Sequence, residues 1–312
     1  MNDDQSAVNI PSLTAGQFDI VYNLLSLTIA SMLFTALYLV LSQRRVAPRY
    51  RNAVVVSAIV CGIAAYHYFR IFQNFKESYP PGEGVTSDHQ LSNVVFNEAY
   101  RYVDWLLTVP LLLVETVAVM ALARAAQRSL LVKLIPAAVA MILLGYPGEV
   151  ATTNTARLIW GFLATLPFIY IVYVLFVELS RSLDRQPPEV RRVAKLLPVT
   201  LVALWSVYPV AYLFPVFGGD FFGGADGFVL RQAGYSIADI LAKAAFGLLI
   251  FYVARVQSRL DDTAYDDDHS VTGHTSPATS NGSSGDASIG SAATGVPVGE
   301  VTGAQASAVG RS

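Results

Sequence analysis

Apolar residues in this chain come in long uninterrupted blocks, with polar residues confined to the short segments between them. A helix needs about 20 apolar residues to cross the hydrocarbon core of a bilayer. Seven stretches meet that requirement: Phe18–Leu41, Ala53–Phe75, Phe96–Leu122, Leu130–Tyr146, Thr155–Leu179, Val193–Phe217 and Phe228–Val253. The gaps between them carry helix breakers or charge: Arg44, Arg45 and Pro48; Pro80, Pro81 and Gly82; Arg124 and Arg128; Pro147 and Gly148; Arg185, Pro187 and Pro188; Gly218, Gly219 and Asp220. The fourth stretch is the shortest and would cross with little tilt. A transmembrane barrel would instead show alternating segments of about 10 residues. The pattern therefore predicts an all-α membrane protein, a bundle of seven transmembrane helices.

Composition agrees with the pattern. Hydrophobic residues make up 54% of the 312 positions and charged residues 14%, against about 25% charged in an ordinary soluble domain. One cysteine excludes a disulfide scaffold, and a net charge of −2 excludes a nucleic-acid binder. The first fifteen residues are acidic (Asp3, Asp4) and lack the basic start of a secretory signal, so helix one is expected to direct its own insertion. From Asp261 onward the chain is rich in Ser, Thr, Gly and Ala and cannot bury a core. The expected organisation is an outer segment over 1–15, a seven-helix domain over 16–256 and a disordered cytoplasmic tail over 257–312. Lysines and arginines fall fourteen to three in favour of loops one, three and five plus the end of helix seven. The three on the other side are Lys76, Arg157 and Arg231. The positive-inside rule then puts the C-terminus in the cytoplasm and the N-terminus outside, in a multi-pass protein of the plasma or inner membrane.

Ionisable groups within the spans are costly and therefore mark function. They are His67 and Arg70 on helix two, Arg101, Asp104 and Glu115 on helix three, and Asp239 and Lys243 on helix seven. Asp19, Glu98 and Glu178, near helix ends, can simply reach water. Asp104, Thr108 and Glu115 stand at i, i+4 and i+11, on one helix face, with Glu115 roughly 16 Å further in along the axis. Arg101 lies one turn further out. Asp239 and Lys243, at i and i+4, share a face of helix seven. A lysine in mid-membrane requires a carboxylate partner or a covalently modified amine, and buried lysines suit Schiff-base chemistry. Two carboxylates around one Lys and one Arg balance in charge.

The stretch Arg101-Tyr-Val-Asp104-Trp105-Leu-Leu-Thr108-Val-Pro110, the stretch Trp205-Ser-Val-Tyr208-Pro209 and the stretch Ser236-Ile-Ala-Asp239-Ile-Leu-Ala-Lys243 together resemble the third-, sixth- and seventh-helix signatures of the microbial rhodopsins. The resemblance covers roughly residues 16–256. It implies all-trans retinal held by Lys243 as a protonated Schiff base, with Asp104 and Asp239 as counter-ions and Asp104 as first proton acceptor. Trp105, Trp205 and Tyr208 would wall the polyene, and Pro209 would bend helix six beside its ring. The Asp104–Thr108–Glu115 triple is similar to that of proteorhodopsin-type outward proton pumps, which makes Glu115 the cytoplasmic proton donor. A photosensory rhodopsin signalling through a partner protein is the alternative, and such proteins usually lack a carboxylate at the Glu115 place. The resemblance further implies that His67 pairs with Asp104, and that Leu112 beside the polyene gives green absorption.

Gly161, following Trp160, resembles the xanthorhodopsin branch, in which a missing side chain leaves a window for a carotenoid antenna. Read alone, Gly161 serves helix packing. Some pumps release protons through two glutamates near the outer ends of helices six and seven. Here that region offers Asp220 and Asp226, so release is expected to run through Arg101, as gate, and water. The resemblance also implies a homo-oligomer, a trimer or pentamer, in the lipid bilayer.

Overall fold

The computed structural model describes residues 11–80, 89, 92–94, 96–179, 181, 188–218, 222 and 224–261. Seven of its helices are long and apolar enough to cross a membrane. Helix one is Ala15–Ser42, helix two Pro48–Ser78, helix three Ala99–Val119 and helix four Arg124–Glu149. Helix five runs over Asn154–Tyr173 and closes in a π-helical turn, Val174–Leu179. Helix six is broken into Pro188–Ala194, Leu196–Trp205 and Val207–Tyr212. Helix seven comprises Ala225–Asp239, a π-helical turn Ile240–Ala245, and Phe246–Asp261. The expected outer segment before residue 11 and the expected tail beyond residue 261 lie outside the described residues.

Local chemistry sets the helix starts. Thr14 and Gln17 form a reciprocal capping box on helix one. Pro48 occupies the first turn of helix two, where its missing N–H costs nothing. Thr153 caps helix five through the Ala156 N–H. The turn from helix three to helix four passes through Ala121 at φ 44°.

Two prolines show where the expected pattern holds and where it fails. Helix four extends beyond Leu130–Tyr146 at both ends and holds Pro147 and Gly148 in its last turn. In lipid the helical form satisfies the backbone better than any alternative, so a proline near a helix end does not stop it. Helix six, expected to bend at Pro209, is interrupted one turn earlier, at Ser206. Pro209 has no N–H for the Trp205 carbonyl, and its ring crowds that carbonyl.

Helices two, three and seven are the most enclosed, and helices one and five the least. The outward faces are large apolar side chains such as Phe34, Leu41, Val132 and Phe162, as lipid contact requires. At the end where helices one, three, five and seven begin, Phe18, Phe75, Tyr79, Phe96 and Phe228 form an aromatic cluster. His89 stacks on Phe18 there, with ring centres 3.9 Å apart, and pairs with Leu13 through the backbone. At the opposite end Glu178, expected to reach water, is paired with Lys133.

Gly148 and Gly161 both face the Tyr212 ring. A Cβ on Gly148 would stand 2.9 Å from the Trp160 Cβ and would collide with the Tyr212 hydroxyl, which donates to the Arg157 carbonyl (2.7 Å). Gly148→Ala is therefore expected to cost about 1–3 kcal/mol through overpacking. A thermal unfolding midpoint equal to that of the unmodified protein would contradict this packing.

Candidate functional site: a charged seam between helices three and seven

Lys243 lies within the π-helical turn of helix seven, and its side chain is almost entirely buried. Its Nζ donates to Asp104 Oδ2 at 2.5 Å, across to helix three, and to Asp239 Oδ1 at 2.8 Å, one turn back on its own helix. The two carboxylates are equally buried but differently satisfied. Asp239 Oδ1 also accepts from Tyr208 Oη (2.6 Å) and Trp105 Nε1 (3.3 Å), and its Oδ2 accepts from Tyr68 Oη (2.7 Å). Among the described residues the Asp104 carboxylate accepts only from Lys243; its Oδ1 is buried without a hydrogen-bond partner. Four donors stabilise the ionised form of Asp239, whereas Asp104 keeps lone pairs available.

Arg101, one turn out from Asp104, donates to Tyr68 Oη (2.7 Å) and Gln232 Oε1 (2.6 Å). Its guanidinium also stands over the rings of Tyr68 and Tyr235 at 5.2 and 5.3 Å. Tyr68 thus bridges Arg101 to Asp239. Thr108 sits on the expected face, but its hydroxyl donates to the Asp104 backbone carbonyl (2.9 Å). Glu115 is fully buried, with both carboxylate oxygens lacking hydrogen-bond partners. Its polar neighbour Ser57 donates to the Ala53 carbonyl (3.2 Å). His67 is buried too, its ring edge-on to Tyr66, and its Nδ1 has no partner. No hydrogen bond joins it to Asp104 among the described residues.

An apolar cavity of about 140 Å³ opens beside Lys243. Trp105, Trp205 and Tyr208, the expected wall residues, all line it, and so do Leu112, Pro209 and Gly161. Helix five contributes Gly161, Ala164, Thr165 and Phe168. A Cβ at position 161 would lie 2.8 Å from Tyr212 Cε1, so the tyrosine ring closes against the glycine backbone. Aromatic walls with a single amine and its carboxylates at one end fit a polyene aldehyde such as retinal.

A second set of buried charges, not expected from the sequence, lies beyond Arg101 toward the end where helices three and seven begin. Glu98, expected to meet only water, accepts from Gln232 Nε2 (2.7 Å) and Arg231 Nη2 (3.0 Å), with Arg101 Nε 3.6 Å away. Arg231 reaches on to Glu149 at 3.5 Å, and Arg157 lies 3.9 Å from that carboxylate. Gln232 precedes Asp239 by seven residues and Lys243 by eleven, the same-face spacing that singled out helix three. That signal was present in the sequence. Asp226 accepts from Gln17 Nε2 (2.7 Å), and Asp220 lies outside the described residues.

Tyr68→Phe would leave a guanidinium nitrogen and a carboxylate oxygen short of a partner in a buried setting, at a cost of roughly 1–3 kcal/mol. Thermal denaturation of the retinal-free protein measures this. An unchanged midpoint would remove Tyr68 as the bridge.

The family model described as bacteriorhodopsin-like protein matches residues 20–257. Green-light absorbing proteorhodopsin of Gamma-proteobacterium EBAC31A08 is 30% identical over 261 residues, covering 81% of this chain and 96% of the relative. The crystal structure of thermophilic rhodopsin is similar at 41% identity and TM-score 0.76, covering 81% of this chain and 99% of that one. Xanthorhodopsin, a light-driven ion pump with dual chromophore, matches at 42% identity and TM-score 0.75, covering 80% and 98%. A multi-pass location in the cell membrane follows from the family and the seven helices. The chain belongs to the bacteriorhodopsin-like family, as a microbial rhodopsin of the proteorhodopsin and xanthorhodopsin type.

Proposed function

We propose that this protein is a light-driven pump that carries protons outward across the membrane, with retinal bound covalently at Lys243. The observation that carries this reading is the unequal satisfaction of the two carboxylates on Lys243 Nζ. Asp239, held by four donors, stays ionised, while Asp104, at 2.5 Å and with Oδ1 free, is placed to take the Nζ proton. Retinal bound there supplies light absorption and an isomerisation that alters the proton affinity and direction of Nζ.

Glu115 restores the proton from the other side. A carboxyl group in a dry helix interior, with no cation beside it and only the Ser57 hydroxyl near it, is the neutral acid and can give its proton to Nζ. Two roles thus fall to two differently solvated carboxyl groups, as acid–base catalysis requires. Glu115 also favours transport over a purely sensory role. The partnerless His67 Nδ1 and Asp104 Oδ1 are the atoms through which a His67–Asp104 pairing would form. Arg101 gates the outward path, and Leu112, apolar on the cavity wall, supports green absorption.

The orientation, with N-terminus outside, rests on loop charge. It gains support from the burial of Arg157 and Arg231 in ion pairs, which leaves Lys76 as the one exposed cation of the three assigned to that side. Gly161 and Thr165 both line the cavity and are partly open to the lipid side of helix five, which supports a carotenoid antenna.

Illuminated cells expressing the protein with added retinal are expected to acidify their medium, and an uncoupler should abolish the signal. No change in well-expressing cells would overturn the reading. Asp104→Asn is expected to red-shift the pigment and reduce transport by about a hundredfold or more, and Lys243→Ala to leave it colourless. With a hydroxylated carotenoid added, the excitation spectrum should show energy transfer to retinal that Gly161→Trp removes. No transfer in the unmodified protein rejects the antenna for that carotenoid.

A further inference from the structure

The buried charges at the outer end do more than hold helices together. Arg231 is matched by Glu98, its ion-pair partner at 3.0 Å. Arg157 donates to the Glu149 backbone carbonyl (2.9 Å) and reaches the Tyr212 carbonyl (3.5 Å). The first closes helix four, whose C-terminal end is equivalent to roughly −0.5 charge, and the second closes the short segment Val207–Tyr212 of helix six. Arg101 faces the inner group of Lys243, Asp104 and Asp239. The cationic charge is therefore largely offset before the Glu149 carboxyl is counted.

That carboxyl is also poorly held. Its side chain is 3% exposed, yet its contacts are long: Tyr102 Oη at 3.4 Å, Arg231 at 3.5 Å and Arg157 at 3.9 Å. An ionised carboxylate at such depth draws its donors to about 2.7–2.9 Å. Tyr212 from helix six and Tyr235 from helix seven complete its titratable surroundings.

We propose that Glu149 is a neutral acid at rest and is the group that releases a proton to the outer medium during the pump cycle, with Glu98 and Arg231 as the positioning pair that triggers it. The proposal rests on the pump reading above. When Asp104 takes up a proton, the negative charge one turn from Arg101 on the same helix is lost. Arg101 Nε and Glu98 Oε2 stand 3.6 Å apart, and each is buried without a hydrogen bond. Closing that gap gives Glu98 a second guanidinium and frees Arg231 to stabilise ionised Glu149. The O–H bond of Glu149 then breaks, its proton passes to outer water beside the partly exposed Glu98 and Arg231, and Asp104 later returns a proton to it.

Infrared spectra of the retinal-free protein carrying carboxyl-labelled glutamate, with Glu115→Gln to remove the donor, test the resting state. A protonated-glutamate band near neutral pH that Glu149→Gln abolishes is expected; its absence from the Glu115→Gln protein overturns the proposal even where Glu149→Gln fails to fold. In the retinal-loaded protein, a pH-indicating dye should report release in step with Asp104 protonation. Glu149→Gln should delay that release by about tenfold or more, and Glu149→Asp should restore part of it. Unaltered timing in Glu149→Gln also overturns the proposal. A failure to acidify the medium at all in the unmodified protein defeats the pump reading instead, and leaves the infrared result to be judged by itself.

Discussion

One ammonium group, on Lys243, is buried among helices and must be neutralised there. Moving such an ion out of water costs of order 20 kcal/mol in the idealised limit, and several even after relaxation. Asp104 and Asp239 offset that cost, but two carboxylates on one cation leave a surplus negative charge. Arg101 answers it through the Tyr68 hydroxyl, and its own remaining donors call for Gln232 and Glu98. Each buried charge thus demands the next, outward along helices three and seven. The enclosure of those two helices and the π-helical turn that holds Lys243 are the backbone side of this requirement.

The two halves of the bundle answer the requirement differently. Outward of Lys243, nearly every charged group has hydrogen-bond partners on several helices. Inward, Glu115 has none, and its surroundings offer only Ser57 and the buried Cys61. On the pump reading, a polar, connected half offers protons a route that a dry half does not. A barrier on one side of the switching amine and a conduit on the other is the arrangement a directional pump requires. It arises from where the polar residues fall, without any moving gate being visible in the resting form.

Much of this could be read from residue spacing. Asp104, Thr108 and Glu115 share a helix face because eleven residues make nearly three whole turns, and Asp239 and Lys243 meet for the same reason. The cavity wall followed from the family resemblance: aromatic residues at helical spacing are core in any helix, and only the resemblance distinguishes Trp105, Trp205 and Tyr208. The outer cluster escaped because its members come from the start of helix three, the end of helix four, the start of helix five and helix seven. Each alone reads as a charged helix end. Their pairing depends on how those ends converge, which no local period encodes. Helix four misled for another reason, since the rule that proline ends a helix comes from chains whose freed carbonyls can turn to water.

Gly161 shows how packing and chemistry meet at one position. Its missing side chain leaves space at the cavity wall, and the Tyr212 ring occupies that space. Tyr212 is in turn tied by its hydroxyl to the Arg157 backbone, and Arg157 closes the end of helix four at Glu149. A bulky residue at 161 must therefore push on Tyr212, and through it on the helix end that carries the outer carboxyl. The wall of the cavity beside Lys243 and the Glu149 carboxyl are joined by a single aromatic ring. On the proposed roles, substitutions at Gly161 affect light harvesting and proton release together, and a change at Thr165, which lines the cavity on the same helix and donates its hydroxyl to the Gly161 carbonyl, is the way to separate them.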